Sequence, residues 1–396
     1  MKQKKILFLF ESYGDYCNGN YERFKHYNSL SRNFAKKINI NNLFIKKGRK
    51  NFFQYFIKFL KKNNIQILVF ANAPWVYLKN NEIIYLKKIC KIIYMVDDCE
   101  EYFEWHQLPF AKFSDKVLVH DYKDVSLFSN HNIDSVFFPQ PSLLTDILKS
   151  NPIDYNSRKI DIFFLGRSDR PGRKNKKYNF SKISESVYFK YSNLEKIKIT
   201  NQEKLKIMLD SKIHINFSAA SSNNSYFSSF KNNKISNNLK GRVFEAILSE
   251  SLIVTENSPG IEEIFDIPNS IFTFNDDHEI EKILDKILNN NLDVNQYLIN
   301  SRKSISKFFE KDYYDDCFYN FKDSGYQKIN IFNQFYIKYL KVFIAKESLR
   351  LFLFFVKKLK FKSAYYELKN FFYHFNFYFF VYIYYYLKVF ILSKIS

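Results

Sequence analysis

The sequence predicts an α/β protein of two domains with parallel, doubly wound sheets facing a cleft, followed by a helical tail. Three observations carry this expectation. A chain of 396 residues exceeds the roughly 250–300 residues that one core usually serves, so more than one domain is required. Short runs rich in Ile, Val and Phe alternate with longer polar stretches of helical period, and this alternation stops and then resumes. From residue 323 the chain departs from both patterns and becomes dense in aromatics and lysine.

In the first half, "KILFLF", "INNLFIK", "IQILVFA", "KIIYMV", "KVLVH" and "SVFFP" read as strands in succession. The opening "MKQKKILFLFESYGD" is basic, but its apolar run ends at Glu11, too short for a signal peptide, and it reads as the first strand. Cys17, Cys90, Cys99 and Cys317 form no CxxC pair and no Cys/His cluster at zinc spacing, which fits a reduced cytosol and predicts no metal. No stretch before the C-terminal end approaches the roughly 20 apolar residues of a membrane span.

Ligands of such sheets bind beyond the carboxyl ends of the strands. The residues there are Glu11, Ser12 and Gly14, then Asn72, then Asp97 and Asp98, then His120 and Asp121. Asp97 and Asp98 are candidate catalytic residues, because a partly shielded carboxylate can act as a general base toward an acceptor hydroxyl. The same pair also reads as an N-cap for "CEEYFEW". His120 is a third catalytic candidate, with a structural strand-end histidine as its alternative. Phe138 to Lys159 contains Pro139, Pro141 and Pro152 without sustained periodicity and reads as an interdomain linker. The expected domains are therefore 1–145 and 146–322, with a tail at 323–396.

In the second half, "IDIFFLG" is followed by Arg167, Arg170, Arg173 and Lys174. Gly166 permits a tight turn, and Arg167 and Arg170 supply planar donors for phosphate oxygens; a solvated basic loop is the alternative. "NQEKLKIMLDS" reads as a helix, "KIHINFS" as a strand, "RVFEAILSE" as a helix, "LIVTE" as a strand, and "NSPGIEEIFD" as a turn entering another helix. A helix start offers backbone N–H groups to an anion or to sugar hydroxyls, with Gly260 allowing close approach. Glu256, Asn257 and Ser258 share that turn. Glu245 can accept from a ribose diol, and Arg242, one helical turn earlier, can face a diphosphate.

The order "FLGR", "DSKIHINFS", "LKGRVFEAILSESLIVTENSPGIEEIF" and "FTFNDDHEIEKILDKIL" resembles the C-terminal half of group 1 glycosyltransferases of the GT-B fold, especially the CgeB-like branch. "KIIYMVDD" and "DKVLVHDY" stand where that family has strand-end aspartates, and residues 1–320 carry the resemblance. It implies two Rossmann-like domains, with a nucleotide sugar on the second and an acceptor on the first. It implies that Glu245 binds the donor ribose, Arg167 and Arg242 the diphosphate, and the loop from Glu256 to Gly260 the sugar. The reaction would move a hexose-type unit to a glycan or lipid-linked acceptor without metal or cofactor. Many retaining members carry a further glutamate eight residues before the one matched by Glu245; here that position is Asn237, which leaves the stereochemical outcome open.

Lys and Arg outnumber Asp and Glu by 61 to 40, a net charge of +21, which points to an anionic partner. Abundant Lys, Asn, Ile, Phe and Tyr also follow from AT-rich codons. A nucleic-acid-binding protein is a rival reading, but no helix-turn-helix, RRM or zinc signature is present. A nucleotide-sugar epimerase or an inactive scaffold would keep the fold and change the chemistry. The tail from Gly325 predicts first a helix packing back across both domains and then an interfacial anchor on an anionic membrane. Its run from Phe371 to Leu392 is interrupted by His374, Asn376 and Lys388, and Lys357, Lys358, Lys360, Lys362 and Lys369 lie nearby. An aromatic helical subdomain packed on the protein is the alternative. The expected location is the cytoplasm, at the inner face of the cytoplasmic membrane.

Overall fold

A computed structural model of the chain describes residues 5–10, 19–31, 36–96, 103–166, 180–191, 199–218, 237–289, 292–322, 334–375, 379–380 and 383–384. In chain order the first domain contains β1 (Lys5–Phe10), α1 (Gly19–Ser31), β2 (Lys36–Asn39), α2 (Ile40–Lys47), α3 (Arg49–Asn63), β3 (Ile65–Phe70), α4 (Asn80–Ile89), β4 (Lys91–Val96), α5 (Leu108–Ala111), β5 (Lys116–Val119), α6 (Lys123–Ser129) and β6 (Ser135–Phe137). Then come α7 (Leu144–Lys149), β7 (Ile160–Gly166), β8 (Val187–Tyr191), α8 (Asn201–Leu209), β9 (Ser211–Asn216), α9 (Gly241–Leu248), β10 (Leu252–Glu256), β11 (Phe272–Phe274), α10 (Asp277–Asn289) and α11 (Val294–Ser306). The chain closes with α12 (Lys311–Tyr319), α13 (Gln334–Lys357) and α14 (Phe361–His374).

Among the described residues the strands form a six-stranded sheet, ordered β2-β1-β3-β4-β5-β6, and a five-stranded sheet, ordered β11-β10-β9-β7-β8. The pairings are parallel, with Leu7 opposite Lys36 and Leu68 in the first sheet and Ile213 opposite Leu252 and Ile162 in the second. Parallel strands covered on both faces read as continuous apolar runs, as β1, β3, β4, β5 and β10 do. The first domain packs one face of its sheet into a core that includes Leu7, Phe44, Phe56 and Phe110, and the second sheet packs Phe164, Ile213 and Val254 against Leu284 of α10.

Three expectations are corrected. "INNLFIK" is helix α2; β2 precedes it at Lys36–Asn39. Ile40, Leu43 and Phe44 have helical spacing, and the Asn39 side chain accepts from Asn42 N at 3.1 Å as the N-cap. "NSPGIEEIFD" is a series of turns, with Ile261 N donating to Ser258 O and Phe265 N to Ile261 O, and the next helix begins at Asp277. The segment expected as a linker also packs: Leu143, Leu144 and Ile147 enter the core formed by Val243, Phe244 and Ile247 of α9. The return across the domains comes earlier than Gly325: Tyr314, Cys317 and Phe318 of α12 pack with Ile6, Phe8 and Tyr27 of the first domain.

The tail continues on the first domain, where Leu340, Ile344, Leu351 and Phe355 of α13 join its core. Phe371 and Phe379 are buried against Val342 and Ala345 of α13, so the start of the Phe371–Leu392 run packs on the protein. Among the described residues no helix is long and apolar enough to cross a membrane.

Candidate functional site between the two sheets

Residues just past β5 meet the turn after β10 and the entry to α9, and the segment from Phe138 to Leu143 runs beside α9. Helix α9 meets that segment closely: a Cβ on Gly241 would stand 1.9 Å from the Gln140 carbonyl oxygen, so only a glycine fits. One turn further on, Glu245 is buried at 2% exposure. Its Oε1 accepts from Ser142 N at 2.7 Å, from Leu143 N at 3.2 Å and from the Ser142 hydroxyl. Its Oε2 accepts from Lys204 Nζ at 2.9 Å. Burial alone would raise the Glu245 carboxyl, but Lys204 and the Ser142 donors outweigh it and hold it down at about 2.

Lys204 is placed by a capping box. Thr200 Oγ1 accepts from Glu203 N at 3.2 Å, and Glu203 Oε2 accepts from Thr200 N at 2.8 Å, which fixes where α8 starts. Arg242 reaches the end of β7, where its Nη1 donates to Leu165 O at 3.2 Å beside Gly166. Lys204, Arg242, Glu245 and His214 line the polar side of a cavity of about 40 Å³, backed by Phe163 and Ile253. That is far below the roughly 300–1,000 Å³ of a small-molecule pocket. His214 is fully buried; burial lowers it to about 4 and its Nε2 donates to Met208 O at 3.2 Å, so it is neutral near pH 7. Among the described residues the cavity lining carries two cations, Lys204 and Arg242, and one carboxylate, Glu245.

The turn after β10 forms the second part. Glu256 Oε2 accepts from Ser218 N at 2.7 Å and Ser218 Oγ at 2.9 Å. Asn257 N donates to Phe274 O at 2.8 Å, and Asn237 Nδ2 donates to Asn257 O at 3.3 Å. Ser258 is buried, and its hydroxyl has no hydrogen-bond partner among the described residues. Gly260 has φ +80°, the left-handed region that favours glycine, and a Cβ there would lie 3.3 Å from the Tyr122 ring and 3.4 Å from Lys123 N. The close approach that this glycine allows is therefore to the first domain.

Facing this turn, Asp121 Oδ2 accepts from Leu239 N at 3.2 Å and Lys123 Nζ donates to Asn237 O at 3.1 Å, so two residues of the first domain latch the entry to α9. Burial, reinforced by neighbouring Asp124, pushes the Asp121 carboxyl up to about 7, against the pull of Lys123. His120 points at the crossing segment, where its Nδ1 donates to Phe138 O at 2.6 Å. On the far side Arg23 of α1, fully buried, donates to Phe308 O at 3.0 Å and to Pro139 O, and so binds both strands of chain that pass between the domains.

Arg242 and Glu245 come together, with Gly166 adjacent, while Glu256, Asn257, Ser258 and Gly260 form the neighbouring turn. His120 lies just past β5. Asp97, Asp98, Arg167 and Arg170 lie outside the described residues, as do the other residues of 167–179 and 219–236. Lys204 and Ser142 escaped sequence reasoning because they belong to no motif: one is a lysine in a lysine-rich helix, the other a serine just after Pro141.

A family model described as "Glycosyl transferase-like" matches residues 171–312. Comparison with curated proteins gives no match. Among solved structures, Anabaena Alr3699/HepE in complex with UDP is similar at 11% identity, with 78% of this chain and 96% of that chain covered and a TM-score of 0.51. Sucrose-phosphate synthase from Thermosynechococcus elongatus gives 10% identity over 78% of this chain and 96% of that chain, with a TM-score of 0.49. A glycosyltransferase from Rickettsia africae gives 12% over 80% and 99%, with a TM-score of 0.48. At such identity the first likeness establishes the fold: two parallel α/β domains in the GT-B arrangement.

Proposed function

We propose that the protein is a glycosyltransferase that moves a hexose-type unit from a nucleotide-diphosphate sugar to a glycan or lipid-linked acceptor. The observation that carries this reading is the meeting of Arg242, Lys204 and Glu245 at the end of β7 in a GT-B fold. The match of residues 171–312 to a glycosyl transferase-like family supports it. The donor would sit on residues 146–322 and the acceptor on 1–145.

In the reaction the bond from the anomeric carbon to the diphosphate oxygen breaks and an acceptor oxygen forms the new glycosidic bond. The leaving diphosphate gains negative charge, which Arg242 and Lys204, joined by Arg167 and Arg170, stabilise electrostatically. Glu245 keeps Lys204 oriented and offers Oε2 to a ribose hydroxyl. The turn from Glu256 to Gly260 faces the sugar. The acceptor proton passes to Asp97, Asp98 or His120.

The test is a thermal-shift panel of UDP-, GDP-, ADP- and CMP-sugars. UDP-sugars come first because the HepE neighbour is described as bound to UDP. A ligand at about 100 times its Kd adds about 2.7 kcal/mol of apparent stability, and one nucleotide class should stand out. A flat panel combined with salt-sensitive binding of generic DNA at physiological ionic strength would overturn the reading in favour of a basic binding protein. Free nucleotide diphosphate released only when acceptor is present would separate transfer from epimerisation.

A further inference from the structure

Helices α13 and α14 form a hairpin on the first domain whose turn projects apolar side chains. Leu353, Phe354, Val356, Leu359, Phe361 and Tyr365 are all exposed there, Leu359 at 75% and Phe361 at 64%. Lys357, Lys358, Lys360 and Lys362 are interleaved with them and also exposed. From Ser348 to the C-terminus the sequence has a single acidic residue, Glu367. It is buried in an ion pair with Arg49, whose Nε and Nη2 lie 3.1 and 2.9 Å from its two oxygens. The exposed turn is therefore apolar and cationic with no nearby anion of its own.

The backbone of the turn adds an independent observation. Leu359 N donates to Val356 O at 2.9 Å and Lys360 N to Phe355 O at 2.8 Å, the paired bonds of a Schellman ending. The residue at its left-handed position is Leu359, with φ +54°. Glycine or asparagine is usual there because a side chain is disfavoured. A leucine held in that conformation and turned to solvent serves neither the helix end nor the core. The hairpin behind it is fixed, with Phe355 and Leu351 in the first domain's core and Arg49 also donating to Val76 O at 2.9 Å.

We propose that this turn, from Leu353 to Tyr365, is the contact with an anionic lipid bilayer: the apolar side chains enter to headgroup depth and the four lysines meet lipid phosphates. The surface lies at the opposite end of α14 from Phe372 and Tyr373, which are exposed too and about 20 Å away at 1.5 Å per helical residue. The inference is independent of the donor site.

The experiment is co-sedimentation of the full chain with phosphatidylcholine vesicles, with and without phosphatidylglycerol, at low and high salt. Binding is expected to require phosphatidylglycerol and to weaken with salt. Replacing Lys357, Lys358, Lys360 and Lys362 by Gln should lower partitioning by about fivefold per lysine. Leu359→Gly should lower it by roughly tenfold while leaving Tm unchanged or higher, a combination that a merely structural leucine would not give. Phe372→Ser with Tyr373→Ser should leave binding intact. Wild-type protein in the supernatant at low salt, equal binding to neutral vesicles, or loss of binding in the Phe372/Tyr373 variant alone would overturn the proposal. So would a dimer in light scattering that the turn variants dissociate without any change in vesicle binding.

Discussion

Arg23 and Glu245 are buried charged groups that grip the same passage between the domains, and they are satisfied in different ways. Arg23 approaches from the first domain and, among the described residues, meets neutral partners: the carbonyls of Pro139 and Phe308, and the rings of Phe138, Tyr314 and Phe309 at 3.9, 4.8 and 5.0 Å. Glu245 approaches from the second domain and meets two backbone N–H groups, a hydroxyl and the Lys204 ammonium. Arg23 holds both chain crossings and touches nothing in the cavity. Glu245 holds one crossing and lines the cavity, so the second clasp joins the crossing segment to the cavity wall. One clasp stands apart from the cavity, while the other forms part of its wall.

The largest expected effect is on the first clasp. Arg23→Leu removes two charge-assisted hydrogen bonds from buried carbonyls and should cost about 3–5 kcal/mol, with nucleotide-sugar affinity unchanged in the protein that remains folded. Urea unfolding and calorimetric titration read the two quantities separately. A loss below ~1 kcal/mol, or a selective loss of affinity, would break the distinction.

Glu245→Gln should cost less stability, about 2–3 kcal/mol, and should also weaken donor binding by unpairing Lys204. Because the wild-type carboxyl is held below its unfolded value, at about 2, its contribution is complete above pH ~5 and is lost as pH falls toward 2. The variant should flatten that acid limb. An unchanged acid limb would mean that the clasp is not ionised as described.

The smallest effect belongs to the latch at Asp121. Its carboxyl is raised to about 7, so the folded state holds a proton that the unfolded chain has lost, and stability falls as pH rises from about 4 through 7 and levels off above it. Between pH 6 and 8 wild type should lose about 1 kcal/mol that Asp121→Asn does not lose. Parallel slopes in the two proteins would remove Asp121 from the account.

Much of the fold was legible because its strands are buried on both faces. "KIIYMV" and "LIVTE" are continuous apolar runs with one sensible reading. Strand β8, Val187–Tyr191, was not legible: it is an edge strand in a polar stretch and alternates too briefly to register. "INNLFIK" misled because its apolar residues satisfy both periods over so short a span, and the Asn39 cap decided for a helix. In the candidate site, Arg242 and Glu245 could be singled out from sequence because a motif surrounds them. Lys204, Ser142 and Arg23 acquire meaning only through partners tens to hundreds of residues away, and sequence spacing carries no trace of such contacts.

The central claim, that a nucleotide sugar binds at the end of β7 and is felt by α9, is tested most directly by amide hydrogen exchange with and without the sugar that gives the largest thermal shift. The account predicts slowed exchange from Leu239 to Glu245, at Ser142 and Leu143, and through the turn from Asn257 to Ile261, with β1 and β3 unchanged. Protection confined to the strand ends of the first domain, with α9 and Ser142 exchanging as before, would contradict it.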